Sequence, residues 1–161
     1  MADYFTQTVV TPNLPGVALT ATDRLLLDML FQSEAANGGC RYYFAADGIE
    51  FEGETATEAV RAAISDSPPC LSRLVLEKAI EGNDATVPID IAGQWEAILQ
   101  DILRRATDLD HLIVITAYSC SKMRPDGFGG AATVITRDAI DSLSTFEFID
   151  TVLAERLSAK P

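Results

Sequence analysis

Residues 111–118 read HLIVITAY, a run of apolar and β-branched side chains. A run of this kind and length is typical of a central β-strand that is buried on both faces of its sheet. Residues 4–11, near the start of the chain, and residues 131–136, after an intervening loop, are also β-prone. These three segments predict a β-sheet at the centre of the fold.

Five segments predict helices that pack on this sheet. Leucines at helical spacing place the first helix from Thr20 or Thr22, either of which can cap it, to about Glu34. The other four helices are predicted at about 55–64, 67–81, 90–106 and 144–157. The last one opens with a capping box, Ser144 to Glu147. Its apolar residues are expected to pack on the protein: Phe148, Ile149, Val152 and Leu153.

A β-hairpin is predicted around Asp47-Gly48, because Asp-Gly between two β-prone runs favours a two-residue turn. Its strands would be residues 41–46 and 49–52. A short edge strand is predicted at 85–89, where a proline interrupts the run.

Hairpins outnumber possible parallel crossovers, which indicates an α+β protein. The predicted order is β-α-ββ-α-α-β-α-β-β-α, with a mixed or mostly antiparallel sheet of about six strands and about five helices. The length of 161 residues fits a single domain over 1–161, with residues 157–161 expected to be a frayed tail.

The net charge limits the classes of partner that this protein is expected to bind. The chain has 12 Lys and Arg against 24 Asp and Glu, a net charge of −12. That field repels nucleic acid and anionic membranes, so neither is expected to bind directly. The opening residues MADYFTQTVV carry no secretory pattern, and three widely spaced cysteines form no disulfide or zinc framework. A cytoplasmic setting is expected, with no metal and no cofactor.

The loop at 119–130 is the first candidate site. It combines two basic residues with three glycines that allow backbone to approach an anion or a partner closely. The alternative is a solvated hairpin with Phe128 placed on the core. The candidate residues are Ser119, Ser121, Lys122, Arg124, Asp126, Gly127, Phe128, Gly129 and Gly130.

The second candidate is an acid row, which consists of Asp47, Glu50, Glu52, Glu54 and Glu58. No Lys or Arg interrupts it between Tyr42 and Val60. It can be a solvated face, a docking face for a basic partner, or an imitation of a phosphate backbone. Divalent cation binding is less favoured, because carboxylates in a flat row do not form a closed cage.

Catalytic signatures are weak, and no catalytic residue is predicted. The glycine-rich loop does not match a phosphate-binding P-loop, since Lys122 precedes the glycines. Residues 119–122 spell SxxK, but they follow a strand instead of opening a helix. His111 is the only histidine, and nine residues of strand place it roughly 30 Å from Cys120, which excludes a nucleophile–base pair.

Residues 117–136, AYSCSKMRPDGFGGAATVIT, and 3–15, DYFTQTVVTPNLP, resemble a family of short uncharacterised bacterial proteins, mainly from alphaproteobacterial genomes. The resemblance implies a bacterial cytoplasmic setting and no particular activity. The sequence therefore favours a non-enzymatic interaction or regulatory module that binds a protein partner or itself. The alternatives are a binder of anionic small molecules, or an enzyme, using loop 119–130, and an inhibitor that mimics nucleic acid.

Overall fold

The computed structural model describes residues 2–80, 84–124 and 127–157. Within these residues the strands are β1 (Tyr4–Pro15), β2 (Gln32–Ala35), β3 (Cys40–Ala45), β4 (Glu52–Ala56), β5 (Thr86–Asp90), β6 (His111–Cys120), β7 (Gly129–Thr136) and β8 (Ile140–Ser144). The helices are α1 (Ala21–Leu30), α2 (Thr57–Ser65), α3 (Leu71–Ala79), α4 (Trp95–Arg105) and α5 (Thr145–Leu157). The predicted α+β class is confirmed. Of the predicted tail, residues 158–161 lie outside the described part.

Six strands form one antiparallel sheet in the order β2-β3-β1-β6-β7-β8, and β4 and β5 form a separate two-stranded sheet. β1 and β6 are the central pair, in register from Tyr4 opposite Cys120 to Thr11 opposite Ile113. The central position predicted for HLIVITAY is therefore confirmed. β2 and β8, the two edge strands of the large sheet, were not predicted.

The first helix ends earlier than predicted, at Leu30 instead of about Glu34. The residues that follow form β2 and pair antiparallel with β3, from Gln32 opposite Phe44 to Ala35 opposite Arg41. The spacing of apolar residues within a helix does not reveal this cross-strand pairing, because the partner residues lie 6 to 12 positions further along the chain. At the other end Thr20 caps the helix, with reciprocal Thr20 and Asp23 hydrogen bonds as in a capping box.

The predicted hairpin of 41–46 with 49–52 is wrong. β3 pairs with β1 on one side and with β2 on the other, so neither of its edges is free for residues 49–52. The chain instead leaves the sheet through Gly48, whose φ of 102° lies in the region that favours glycine. It then forms β4, which pairs with β5.

Three predicted helix starts also shift. Thr55 lies in β4 opposite Val87, so the second helix begins at Thr57 without a side-chain cap. The third begins at Leu71 and the fourth at Trp95. The capping box that opens α5 is confirmed: the Ser144 N–H donates to Glu147 Oε2 at 2.8 Å, and the Glu147 N–H donates to Ser144 Oγ at 3.2 Å.

One face of the large sheet, the inner face, packs with helices α1 to α4 into a single core. The core includes Val10, Leu112, Val114 and Ile135 from the strands, with Leu26, Leu27, Leu76, Ile98, Leu99, Ile102 and Leu103 from the helices. A fully buried carboxylate, Asp23, joins two of these helices through an ion pair of 2.9 Å with Arg105. Within the described ranges, no helix is long and apolar enough to cross a membrane.

Within the described residues the outer face of the large sheet is largely open to solvent, and this contradicts two predictions. Ile115, in the middle of β6, is 44 % exposed, so the central strand is buried on one face only. The last helix does not pack through its apolar residues: none of the residues of α5 is buried.

Candidate functional site

The loop proposed as a site is shorter than residues 119–130, because β6 continues to Cys120 and β7 begins at Gly129. Ser121 anchors its start: the Ser121 N–H donates to the Asp3 carbonyl at 2.9 Å, and the Ser121 hydroxyl accepts from the Asp3 N–H at 3.0 Å. Lys122 and Arg124 are exposed. Asp126 lies outside the described residues.

Packing accounts for two of the loop glycines without any ligand. A Cβ atom at Gly127 would lie 2.3 Å from Cys120 Cβ, and one at Gly130 would lie 2.7 Å from the carbonyl oxygen of Thr116. Both positions therefore need glycine because β6 passes too close. Ser119 is part of β6, and Phe128 is 39 % exposed. A binding role for this loop stays a prediction.

The acid row is divided among three parts of the fold. Asp47 and Glu50 lie in the connection between β3 and β4, Glu52 and Glu54 lie on β4, and Glu58 lies in the first turn of α2. All five are exposed. In the part of the chain that the structure describes, no three potential metal ligands come together. A docking role for the acid row stays a prediction.

An apolar row crosses the outer face of the large sheet. Successive cross-strand partners form this row over five strands: Phe44, Val9, Ile115, Ala132 and Leu143. Ile115, in the middle of the apolar row, is 44 % exposed, and Leu143, at its end, is 51 % exposed. Exposed apolar surface that is continuous, as here, typically marks an interaction site.

The α5 apolar face continues this surface. At 100° per residue, six side chains occupy one half of α5: Phe146, Phe148, Ile149, Val152, Leu153 and Leu157. Each of them is between 37 % and 61 % exposed. The opposite half carries mainly polar residues, among them Glu147, Thr151 and Glu155, and the apolar half also includes Thr145 and Arg156. Six exposed apolar side chains on one half of a helix lack the surface that such side chains normally pack against.

The apolar row and the α5 apolar face meet at the β8 edge. Phe148 lines a shallow depression together with Ala132 and Leu143, which are the last two members of the apolar row. The capping hydrogen bonds with Ser144 fix the direction of α5 at this edge, and they hold the pKa of the exposed Glu147 carboxyl below its usual value. The two features therefore form one continuous apolar surface.

Sequence reasoning found the residues of this surface but placed them in the core. The unbroken apolar run of β6 was interpreted as burial on both faces, and the apolar half of α5 as packing within the chain. A signal was present in β1, where Phe5 and Val9 alternate with Thr6 and Thr8. That alternation places apolar side chains on one face of β1 and threonines on the other, but it does not show what covers either face.

Comparisons with known proteins add no further guide. Neither the family models, nor the curated proteins, nor the solved structures contain a match to this chain. The resemblance of residues 3–15 and 117–136 to a bacterial family stays a prediction. The function of this protein is therefore inferred from the geometry of the two faces of the large sheet.

Proposed function

We propose that this protein is a self-associating interaction module in which two copies meet through the apolar row and the α5 apolar face. The observation that carries the proposal is α5, where all six apolar side chains of one helical half are exposed. Burial stabilises by roughly 25 cal/mol per Å² of apolar surface, so a surface of this kind favours association.

Charge supports a second copy as the occupant. Two chains that each carry −12 repel one another unless they meet where carboxylates are few. The outward positions of β1, β6 and β7 include no Asp or Glu within the described residues; the carboxylates of this face, Glu34 and Asp141, lie on the edge strands β2 and β8. The uncharged centre of the face is where two acidic copies can approach.

The available area is that of a stable dimer. Five strands about 4.8 Å apart, each contributing about 25 Å of length, give a face of roughly 500 Å². The 13 residues of α5 add a strip of roughly 200 Å², since an α-helix rises about 1.5 Å per residue and is about 10 Å wide. Accessible surface exceeds such flat areas, so the sum reaches the roughly 800 Å² per partner of a standard interface.

A two-fold arrangement uses both features at once. Two outer sheet faces pack about 10 Å apart, with the same surface contributed by each copy. α5 follows the edge strand β8, and its Phe148 lies beside Ala132 and Leu143, the last two members of the apolar row. In a two-fold dimer each α5 covers the far end of the partner's apolar row.

Sedimentation velocity on the full chain, from about 1 to 100 µM, tests the proposal, because dimers of this size have dissociation constants in or below that range. The wild type is expected to be a dimer. Leu153→Asp places a charge within the α5 apolar face and is expected to give a monomer. Ala154→Asp places the same charge one residue further along, on the polar half, and is expected to remain a dimer.

A second variant tests the sheet side of the interface. Ile115→Thr keeps a β-branched side chain in β6 and removes apolar surface from the apolar row. The loss is worth about 1.5 kcal/mol, so the dimer should dissociate about tenfold more readily. Circular dichroism would verify that each variant is folded. A monomeric wild type at the highest concentration, or equal dissociation of Leu153→Asp and Ala154→Asp, would overturn the proposal.

A further inference from the structure

A cavity of about 370 Å³ opens on the inner face of the large sheet, on the side opposite the apolar row. Its floor is formed by β1, β6 and β7, which contribute the threonines Thr6, Thr8, Thr116 and Thr133. Its wall is formed by Asp47, Gly48, Ile49 and Phe51, after β3, and by Trp95 at the start of α4. The volume lies at the small end of the range found for ligand sites.

Aromatic rings form much of the lining. Phe51 and Trp95 lie beside each other, with ring centroids 6.0 Å apart and planes inclined by 42°. Tyr118, which is 39 % exposed, joins them from β6. Aromatic faces that surround a small cavity attract organic cations, because the ring quadrupole is negative on its faces.

The polar groups of the cavity favour the same class of ligand. Asp47 contributes a carboxylate, and no Lys or Arg is among the described residues that line the cavity. Two of the floor hydroxyls, those of Thr8 and Thr116, are 3.0 Å apart and hydrogen-bonded to each other. The net charge of −12 also raises the local concentration of cations around the molecule. An anion would meet a carboxylate without a compensating positive group.

Gly48 holds the wall in place. Its φ of 102° turns the chain after β3, and the Cβ position of this residue lies 3.8 Å from Thr6 Cβ. The turn thus brings Asp47 and Ile49 over the sheet, where both line the cavity. The Asp-Gly pair, which indicated a hairpin in the sequence, here closes one side of a cavity.

We propose that this inner-face cavity binds a small organic cation, an alkylammonium or quaternary ammonium group with a short polar tail. The ammonium would lie against Phe51, Trp95 and Tyr118, near the Asp47 carboxylate. The threonine hydroxyls of the floor would donate hydrogen bonds to the polar tail of the ligand or accept them from it. This inference is independent of self-association, because the cavity and the apolar row lie on opposite faces of the sheet.

Trp95 is the only tryptophan of the chain and lies in the cavity wall, so its fluorescence reports occupancy directly. The probes are choline and 3,3-dimethyl-1-butanol, which has the same shape without the charge. Choline is expected to change the Trp95 emission with saturation below about 10 mM, in the range of weak small-ligand sites. The neutral alcohol is expected to bind at least fivefold more weakly.

Two isosteric variants locate the charge. Asp47→Asn is expected to weaken choline binding about fivefold, as the loss of one nearby charge at a surface predicts. Glu50→Gln is the matched control: it removes a neighbouring exposed carboxylate that does not line the cavity, and it is expected to leave binding unchanged. No fluorescence change with choline, equal binding of both probes, or equal effects of the two variants would overturn the proposal.

Discussion

Tyr43 provides a test of the core that can be worked out in advance. Its side chain is 1 % exposed, and its hydroxyl has no hydrogen-bond partner among the described residues. Burial is the largest effect that raises the pKa of Tyr43 from 10.0 to about 12, and the negative charge of Asp28 is the second. The positive charges of Arg41 and Arg24 lower this pKa and offset part of the increase. The neutral phenol is thus favoured in the folded state, and ionisation favours the unfolded state.

The sign and size of the effect follow by linkage. The stabilisation from this pKa difference is fully present below pH 10, the unfolded value, and is lost as the pH rises toward 12, the folded value. Near pH 11 the unfolded state has gained about tenfold over the folded state, which corresponds to about 1.4 kcal/mol. Tyr43→Phe has no phenol to ionise and should not lose this amount.

Urea unfolding of wild type and Tyr43→Phe at pH 8 and near pH 11 measures the difference. At pH 8 the variant should be about 0.5–1 kcal/mol more stable, because it removes a buried hydroxyl without a partner. Near pH 11 that advantage should increase by about 1.4 kcal/mol. Titration of other groups affects both proteins alike and cancels. An advantage that is the same at both pH values would refute the burial of an unpaired Tyr43 hydroxyl.

Two further substitutions test packing and charge in the core. Arg105→Ala leaves the fully buried Asp23 carboxylate without its ion pair of 2.9 Å. The free energy of unfolding, measured by urea denaturation, should therefore fall by about 3 kcal/mol. A loss below about 1 kcal/mol would contradict this. Gly130→Ala places a Cβ 2.7 Å from the Thr116 carbonyl oxygen and should cost about 1–3 kcal/mol, seen as a lower melting temperature. Gly93→Ala is the control, because no described atom beyond its chain neighbours lies within 4 Å of its Cβ position. A similar loss there would contradict the steric reason.

Local patterns predicted most elements of the fold. The fourth helix was predicted, and its residues Ile98, Leu99, Ile102 and Leu103 are each 0 % exposed. The helix cap at Thr20 and the capping box at Ser144 are also confirmed. These features depend on residues within a few positions of one another, so the sequence contains the necessary information.

Pairing between distant segments could not be predicted in the same way. The chain does change direction at Asp47-Gly48. However, β3 already pairs with β1 on one side and with β2 on the other, and the strand order of the whole sheet determines both partners. Residues 52–56 therefore pair with residues 86–90, which lie 30 to 38 positions away. The cavity was missed for the same reason, since its wall, which includes Asp47, Phe51 and Trp95, meets its floor only in this arrangement.

The pleat of β1 and β6 explains how one sheet can serve two proposed roles. Thr8 and Thr116 are opposite partners on the inner face, and the next pair, Val9 and Ile115, belongs to the apolar row on the outer face. Side chains alternate between faces, so a register slip of one residue would place threonines in the apolar row and aliphatic side chains in the cavity. The hydrogen-bonded pair of Thr8, which is 1 % exposed, and Thr116 thus helps to define the register. Because every position of these strands belongs to one face only, substitutions at Ile115 and at Asp47 act on separate surfaces, and self-association and cation binding can be tested independently.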